Sequence, residues 1–427
     1  MKSFLKVPVA LALAVLARAV LRKYRPLIVM VTGSVGKTST KDATATVLAG
    51  KFNLRASEKS YNSEFGVPLT IIGAKNPWEN PVGWVRVFQE ALGLILLPSH
   101  YPKLLVLEVG ADRPGDLAKI LRFADPDAVI VTRLPEVPVH VEAYASPQAV
   151  REEEFQPAYA LTPGEPLIIC ADDPYAVLMG ARLEAVVSTF GFADGADVRL
   201  SGYSYFEDGD VCGMEAALDI EGVAYTLRIP GALGRSQLLA PSAAIACARA
   251  LGMNTEDALQ AAAGYVPPAG RGRILSGKNG SLLVDDSYNA SPAAVEEALS
   301  ALALIPNRAR RIAVLGDMLE LGRYSVEEHA RIGALASERV DVLVAVGIRA
   351  RAMREAAIAA GMPEDKALWF GTANEAAAAL EEMVGEGDVV LVKGSQGIRT
   401  ERVMERLLAD EADRKHLVRQ EKEWRVR

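Results

Sequence analysis

Short unbroken apolar runs alternate with amphipathic stretches along most of this chain. PLIVMVTG (26–33), LLVLEVG (104–110), DAVIVTR (127–133) and PLIIC (166–170) are continuous, rich in β-branched residues and separated by helical segments. Strands that are apolar on both faces belong to a parallel sheet covered by helices on both sides. Residues 197–230 depart from this pattern: ALDIEGVAYTLRI (217–229) alternates around Glu221-Gly222, which predicts a β-hairpin. QLLAPSAAIACARALG (237–252) predicts a helix ended by Gly252. VPPAGRGR (266–273) is a Pro/Gly-rich break and predicts a domain boundary. Beyond it, SLLVDDSYN (281–289), RIAVLGDM (311–318), VDVLVAVG (340–347) and GDVVLVKGSQG (387–397) are four more strand-like runs with Ala-rich helical segments between them. They predict a second, smaller doubly wound unit. The fold class is α/β, with a central domain over 26–268, mostly parallel sheet with a β-hairpin excursion, and a C-terminal domain over 269–410.

Composition narrows the function classes. At 427 residues the chain has room for two or three domains. Lys plus Arg is 47 and Asp plus Glu is 54, a net charge of −7 that argues against a protein that coats nucleic acid. Cys170, Cys212 and Cys247 are too widely spaced for a disulfide framework or a zinc cluster, and they fit a reducing compartment.

The sharpest local chemistry is at Thr32-Gly33-Ser34-Val35-Gly36-Lys37-Thr38, followed by Ser39, between a strand and a helix. Glycines let backbone N–H groups turn toward phosphate oxygens, and the helix N-terminus adds partial positive charge. Lys37 neutralises β- and γ-phosphates, and the Thr38 hydroxyl can bind Mg²⁺. Val31 stands where the longer form of this loop has Gly, so the loop is the short G-x-x-G-K-T form. The competing reading is a glycine turn that binds no anion.

Six motifs occur in order: TGSVGKTST (32–40), YNSEFGVPLT (61–70), LEVGADRPGD (107–116), DDSYNASP (285–292), VLGDMLELG (314–322) and VKGSQGIRTERV (392–403). Together they resemble the Mur ligase family over residues 26–408, and within it the members that add D-alanyl-D-alanine to UDP-N-acetylmuramoyl-tripeptide. The resemblance implies a central P-loop ATPase domain, a C-terminal Rossmann-like ligase domain, ATP and Mg²⁺ as cofactors, and amide-bond formation through an acyl phosphate. By motif match, Glu108 and His140 are Mg²⁺ ligands with Thr38. Asn62, Ser63 and Glu64 face the substrate. Asp285, Tyr288, Asn289 and the hinge residue Arg271 lie on the nucleotide side. Lys37, Glu108, His140 and Lys393 form the catalytic set.

Residue chemistry adds alternatives. Glu108 ends a buried strand, where carboxylates are seldom structural. Lys393 and Arg399 read as an anion site that closes over substrate, or as solvated cations at a helix start. Asp317 reads as a contact for the incoming amine or as a helix cap.

Three departures from the family pattern stand out. The lysine expected about fourteen residues after the histidine, carbamylated in the family, is replaced within Arg151-Glu152-Glu153-Glu154, with Glu154 at the aligned place. An encoded carboxylate then stands in for the carbamate at the metal; the other reading is a solvated acidic helix face. The His-Asn pair expected beside the adenine is Ser236-Gln237, where Gln237 still offers an amide. The family's UDP-sugar domain would precede the loop, yet Gly33 follows only about thirty residues.

Both ends of the chain pose their own questions. The run VPVALALAVLA (7–17) sits among Lys2, Lys6, Arg18, Arg22, Lys23 and Arg25. Eleven apolar residues are too few to span a bilayer. Secretion conflicts with a need for cytosolic ATP. Residues 1–25 therefore predict a helix packed on the first domain, or one lying on the inner membrane face with Arg18 and Arg22 at the headgroups. The tail EADRKHLVRQEKEWRVR (411–427) predicts a solvated helix or a frayed end.

The expected function is a cytoplasmic ATP-dependent ligase of peptidoglycan precursor synthesis. Its partners are a precursor peptide and D-Ala-D-Ala, with no nucleic acid. The alternatives are a Mur-like ligase for another peptide, a γ-glutamyl or a cofactor substrate, and a non-catalytic ATP-binding scaffold.

Overall fold

A computed structural model describes residues 3–58, 60–78, 80–209, 211–306, 308–421 and 424. Lys2, together with the tail residues 422, 423 and 425–427, lies outside the described residues.

The first sheet contains β1 (Leu27–Thr32), β2 (Leu54–Ala56), β3 (Leu104–Glu108), β4 (Ala128–Val131), β5 (Pro166–Cys170), β6 (Val186–Gly191), β7 (Val198–Asp208), β8 (Val211–Ile220) and β9 (Val223–Pro230). Their spatial order is β2-β3-β1-β4-β5-β6-β7-β8-β9. Pairing is parallel through β7 and antiparallel from β7 to β9. The predicted hairpin is β8–β9, and Glu221 (φ 56°) and Gly222 (φ 80°) supply the two left-handed residues its turn requires. The segment that departs from the parallel pattern, 197–230, is β7 to β9, with β7 joining the predicted hairpin as a third long antiparallel strand. The continuous apolar strands are buried as expected: β3 and β4 are buried throughout.

The second sheet contains β10 (Arg273–Ser276), β11 (Leu282–Asp286), β12 (Arg311–Gly316), β13 (Val342–Val346), β14 (Ala367–Phe370) and β15 (Val389–Lys393), in the order β10-β11-β15-β12-β13-β14. Only the β10–β11 pair is antiparallel. The chain enters this sheet from a helix over Thr255–Ala262 through the Pro/Gly-rich stretch.

Strand order reverses beside β1, which lies between β3 and β4. Open α/β sheets bind ligands outside the carboxyl ends of strands at such a switch point. The loop after β1, leading into the helix over Lys37–Leu48, therefore stands where the fold offers a site.

The described residues near both termini pack against the domains. Helix α1 (Ser3–Tyr24) buries Leu13, Ala17 and Val20, and exposes Val7, Leu11 and Val15. The charged tail corrects the expectation of a solvated or frayed end. Glu411–His416 forms a 3-10 segment, Leu417 and Val418 are buried, and the Arg419 guanidinium meets Glu401 at 2.9 Å and the Ser287 carbonyl at 3.2 Å. Charge count alone misses this because the apolar contacts of Leu417 and Val418 and the acceptors of Arg419 come together only in the folded chain.

Candidate functional site

The phosphate loop is built by two glycines. Gly33 has φ 119°, and a Cβ there would collide with the Thr132 hydroxyl. Gly36 has φ 92° and leads directly into helix α2 (Lys37–Leu48). The Ser34 N–H donates to the Arg133 carbonyl at 2.9 Å, and Val35 bridges to the same residue, so the loop leans on the end of β4. Ser39 is buried and lines the cleft described below.

Lys37 folds back onto the Gly33 carbonyl and lies 3.3 Å from Glu154 Oε1. Glu154 Oε2 accepts from the Thr32 hydroxyl at 3.0 Å and from the Gly33 N–H at 3.4 Å. The aligned carboxylate is thus on the phosphate loop itself, and Glu154 is not part of a solvated acidic face: it is 1% exposed.

Glu108 ends β3 and is fully buried. Its Oε1 accepts from the Asn62 amide at 3.2 Å, while its Oε2 is buried with no hydrogen-bond partner. Burial raises its pKa; Lys41, Lys37, Arg271 and the Thr38 hydroxyl oppose the rise. A buried carboxylate oxygen without a partner, facing cations and the Thr38 hydroxyl, has the donor chemistry for a hard divalent ion. The predicted metal set is not gathered in one place, however. Among the described residues no group of three or more His, Cys, Asp or Glu is arranged to hold a metal. His140 instead meets Glu320 at 2.8 Å and Asp112 at 3.6 Å. His140 has φ 64° on the loop after β4, and Glu320 (φ 65°) follows β12, so the pair joins the two sheets' loops.

Of the YNSEFG stretch, Asn62 alone reaches this cluster. The Ser63 hydroxyl accepts weakly from the N–H groups of Phe65 and Gly66, at the start of helix α3 (Gly66–Ile72). Glu64 pairs with Lys119 at 3.4 Å.

A cleft runs between the two sheets. Gly36, Ser39 and Gln237 line it from the first, and Asp286, Glu297 and Lys393 from the second, with Arg271 of the linker between them. An Arg271 N–H donates to the Thr38 hydroxyl at 3.4 Å, and its guanidinium stacks on Tyr288 at 4.2 Å. Lys393 is 3% exposed; its ammonium donates to Asp286 at 2.7 Å and to the Asn289 carbonyl at 3.0 Å. Asp286 and Lys393 are register partners at the carboxyl ends of β11 and β15.

Several expected site residues face elsewhere. Asp285 is fully buried and accepts from the Gly270 N–H at 3.0 Å and from the Ser287 hydroxyl, clamping the linker instead of lining the cleft. Burial pushes its pKa up to about 6 against the opposing hydrogen bonds. The Asn289 side chain turns onto the Ala290 N–H at 2.9 Å. Both ends of the Gln237 amide are committed, donating to the Arg271 carbonyl at 2.8 Å and accepting from the Tyr265 hydroxyl at 2.9 Å. Asp317 accepts from the Ala350 N–H at 2.7 Å, at the start of the helix over Arg351–Ala359 and not of the helix that follows it in sequence, Ser325–Arg339. Arg399 pairs with Glu401 and with the Trp424 carbonyl at 3.1 Å.

Three residues of the site were not expected from sequence. Lys41, one helical turn beyond Lys37, is buried and donates to the Ser57 carbonyl at 2.8 Å. Its i,i+4 spacing from Lys37 was the available sign. Asp286 is the neighbour of the aspartate that sequence singles out. Glu297 ties the sheets together, accepting from Arg133 at 2.8 Å and from the Ser236 N–H at 2.6 Å; nothing in the sequence marks it.

The comparisons agree with this architecture. Residues 31–248 match the Mur ligase middle domain, and residues 270–396 match the Mur ligase glutamate ligase domain. The UDP-N-acetylmuramoyl-tripeptide–D-alanyl-D-alanine ligase of Bacillus subtilis is 26% identical over 398 residues, 93% of this chain and 79% of that protein. The ligase of the same name from Mycobacterium bovis is 30% identical over 414 residues, 90% of this chain and 73% of that protein. A crystal structure of the MurF ligase from Thermotoga maritima in complex with ADP superposes with a TM-score of 0.77 at 27% identity, covering 93% of this chain and 83% of that one. The chain belongs to the Mur ligase family.

Proposed function

We propose that this chain is an ATP-dependent amide-bond-forming ligase of peptidoglycan precursor synthesis, adding D-Ala-D-Ala to the carboxylate of a UDP-MurNAc-tripeptide-like acceptor. In this reading residues 26–268 bind ATP and residues 269–410 complete the ligase site. The observation that carries it is one cleft lined by Gly36 and Ser39 of the phosphate loop and its helix, Arg271 of the linker and Lys393 of the second sheet, with Arg271 also reaching the Thr38 hydroxyl.

The chemistry asks for this arrangement. The acceptor carboxylate attacks the γ-phosphorus of ATP, and ADP leaves. The amine nitrogen then attacks the acyl carbon, inorganic phosphate leaves, and the ammonium proton passes to solvent or a base. Two anions must meet in the first step, so fixed cations lower its barrier. Lys37 and the loop N–H groups hold the β- and γ-phosphates. Arg271, stacked on Tyr288, is fixed where the two halves of the site join. Lys393, held by Asp286, offsets charge on the acyl phosphate side. Asn62 orients Glu108. Thr38 and Glu108 would hold Mg²⁺, which when bound shields the phosphate oxygens from the incoming carboxylate. Glu154 serves the loop as the carboxylate that the family draws from a carbamylated lysine.

The reaction draws on cytoplasmic ATP. Among the described residues no helix is long and apolar enough to cross a membrane. The same proposal includes a peripheral contact of residues 1–25 with the inner membrane face.

The test is phosphate release from Mg-ATP by purified protein, with mass analysis of products and UDP-MurNAc-tripeptide and D-Ala-D-Ala each omitted in turn. Release that requires both, with the pentapeptide product, supports the reading. ATP binding that depends on Lys37 but yields no product with this pair refutes the assigned substrates.

A further inference from the structure

We infer that α1 and helix α4 (Pro81–Leu96) together form one face that lies on an anionic phospholipid bilayer. The inference rests on the membrane contact proposed for residues 1–25 and extends it to a second helix.

The two helices pack through Leu13, Val87 and Ala91. They are also locked at their carboxyl ends. The Lys23 ammonium donates to the carbonyls of Leu94 and Leu97 at 2.7 and 2.6 Å, and the Tyr24 hydroxyl donates to Leu94 at 2.9 Å. Cations and donors at a helix C-terminus satisfy its orphan carbonyls, so this joint is a firm one.

Each helix leaves a large apolar set uncovered. On α1, Val7, Leu11 and Val15 are 65, 62 and 68% exposed and recur every four residues, which makes a single ridge. On α4, Val82, Val85, Leu92 and Leu96 are exposed, the last at 74%. Single exposed apolar residues are ordinary, but two adjoining helices carrying seven is a surface in search of a cover.

Charge identifies the cover. The first acidic residue of the whole chain is Asp42, although the chain as a whole carries −7. The α1 ridge continues into Arg18 and Arg22, both exposed. The ridge is one wall of a groove floored by Ala10, Ala14 and Phe123 and edged by three cations, Arg18, Lys119 and Arg122, and one carboxylate, Glu64. An apolar ridge with cations at its margin matches acyl chains below and phosphate headgroups beside them. A second copy of this face would set the same cations against each other. The groove adjoins the stretch that supplies a site residue: Glu64 lines it, and Asn62, two residues earlier, bonds Glu108.

The experiment is co-sedimentation of the full chain with phosphatidylcholine vesicles and with vesicles half phosphatidylglycerol, at low and high salt. Binding to the anionic vesicles is expected to exceed binding to the neutral ones by about tenfold and to weaken with salt. V7S/L11S/V15S and V85S/L92S/L96S, each about fivefold weaker with phosphate release retained, support the two-helix face. The α4 variant binding like wild type overturns the extension while leaving the contact of residues 1–25 standing. Wild type that ignores the anionic vesicles overturns both. A dimer that the ridge substitutions dissociate, without vesicle binding, assigns the face to a second copy and overturns the inference.

Discussion

Glu154 Oε1 lies 3.3 Å from the Lys37 ammonium, so the phosphate loop carries its own counter-ion across 117 residues of chain. The lysine that the family carbamylates at this place would make the site depend on dissolved carbon dioxide; a glutamate does not. Activity is therefore expected to be unchanged when bicarbonate is depleted. Glu154→Gln keeps an acceptor for Thr32 and Gly33 but removes the charge, and is expected to lower kcat by about tenfold or more. Glu154→Lys is expected to be inactive without bicarbonate and partly restored by it. Wild-type activity that rises with bicarbonate overturns this account.

The legible parts of the site were those set by local sequence. A strand, two glycines and a helix start declare the phosphate loop within a dozen residues, and Glu221-Gly222 declares the hairpin turn. What stayed hidden was set by register and long-range contact. Successive strand residues point to opposite faces, so one of Asp285 and Asp286 had to be buried and the other to face the cleft. The motif names both without saying which, and the parallel register of β11 on β15 decides for Asp286 by placing it beside Lys393. The tail could not be read because its charges look solvated until the carbonyls of Ser287 and Tyr288 are brought to Arg419.

His140 and Glu320 form a pH-sensitive contact between the loops of the two sheets. Burial disfavours the charged imidazole, but the hydrogen bond and charge of Glu320, with Asp112, prevail over it and over Lys37, so the pKa is raised. The His140 hydrogen bond holds Glu320 below the usual carboxylate range. A raised histidine contributes stability that is fully present below its unfolded pKa and lost as pH rises through the folded one. Glu320 is half exposed, so the expected size is only about 0.5 kcal/mol. Urea unfolding of wild type and His140→Gln from pH 6 to pH 8.5 is expected to converge at the alkaline end. A constant difference refutes the linkage.

Asp285 has the opposite chemistry, a carboxylic acid made harder to ionise. Its pKa is pushed up to about 6 from 3.8, chiefly by burial, so its contribution to stability is present below the unfolded value and declines as pH rises through the folded one. Asp285→Asn is flat over this range. Wild type is expected to gain on the variant, on the order of 3 kcal/mol, between pH 7 and pH 4. Unfolding curves whose separation does not change with pH would show that the carboxyl stays ionised.

The tail supplies the last prediction. Arg419 is 7% exposed and its partner Glu401 is 0% exposed. The same guanidinium donates to the carbonyls of Ser287 and Tyr288, just after the β11 strand that carries Asp285 and Asp286. Removing one member of a buried pair leaves the other charge without full compensation, which costs about 3–5 kcal/mol. Arg399 also pairs with Glu401 and softens the loss, so Arg419→Ala is expected at the lower end, about 3 kcal/mol. The carbonyls it releases follow β11, so the variant is also expected to raise KM for ATP, through Tyr288 and the Arg271 stacked on it. Urea unfolding together with steady-state kinetics separates the two effects. A variant that loses less than about 1 kcal/mol would place the tail where its charge alone suggests, in solvent.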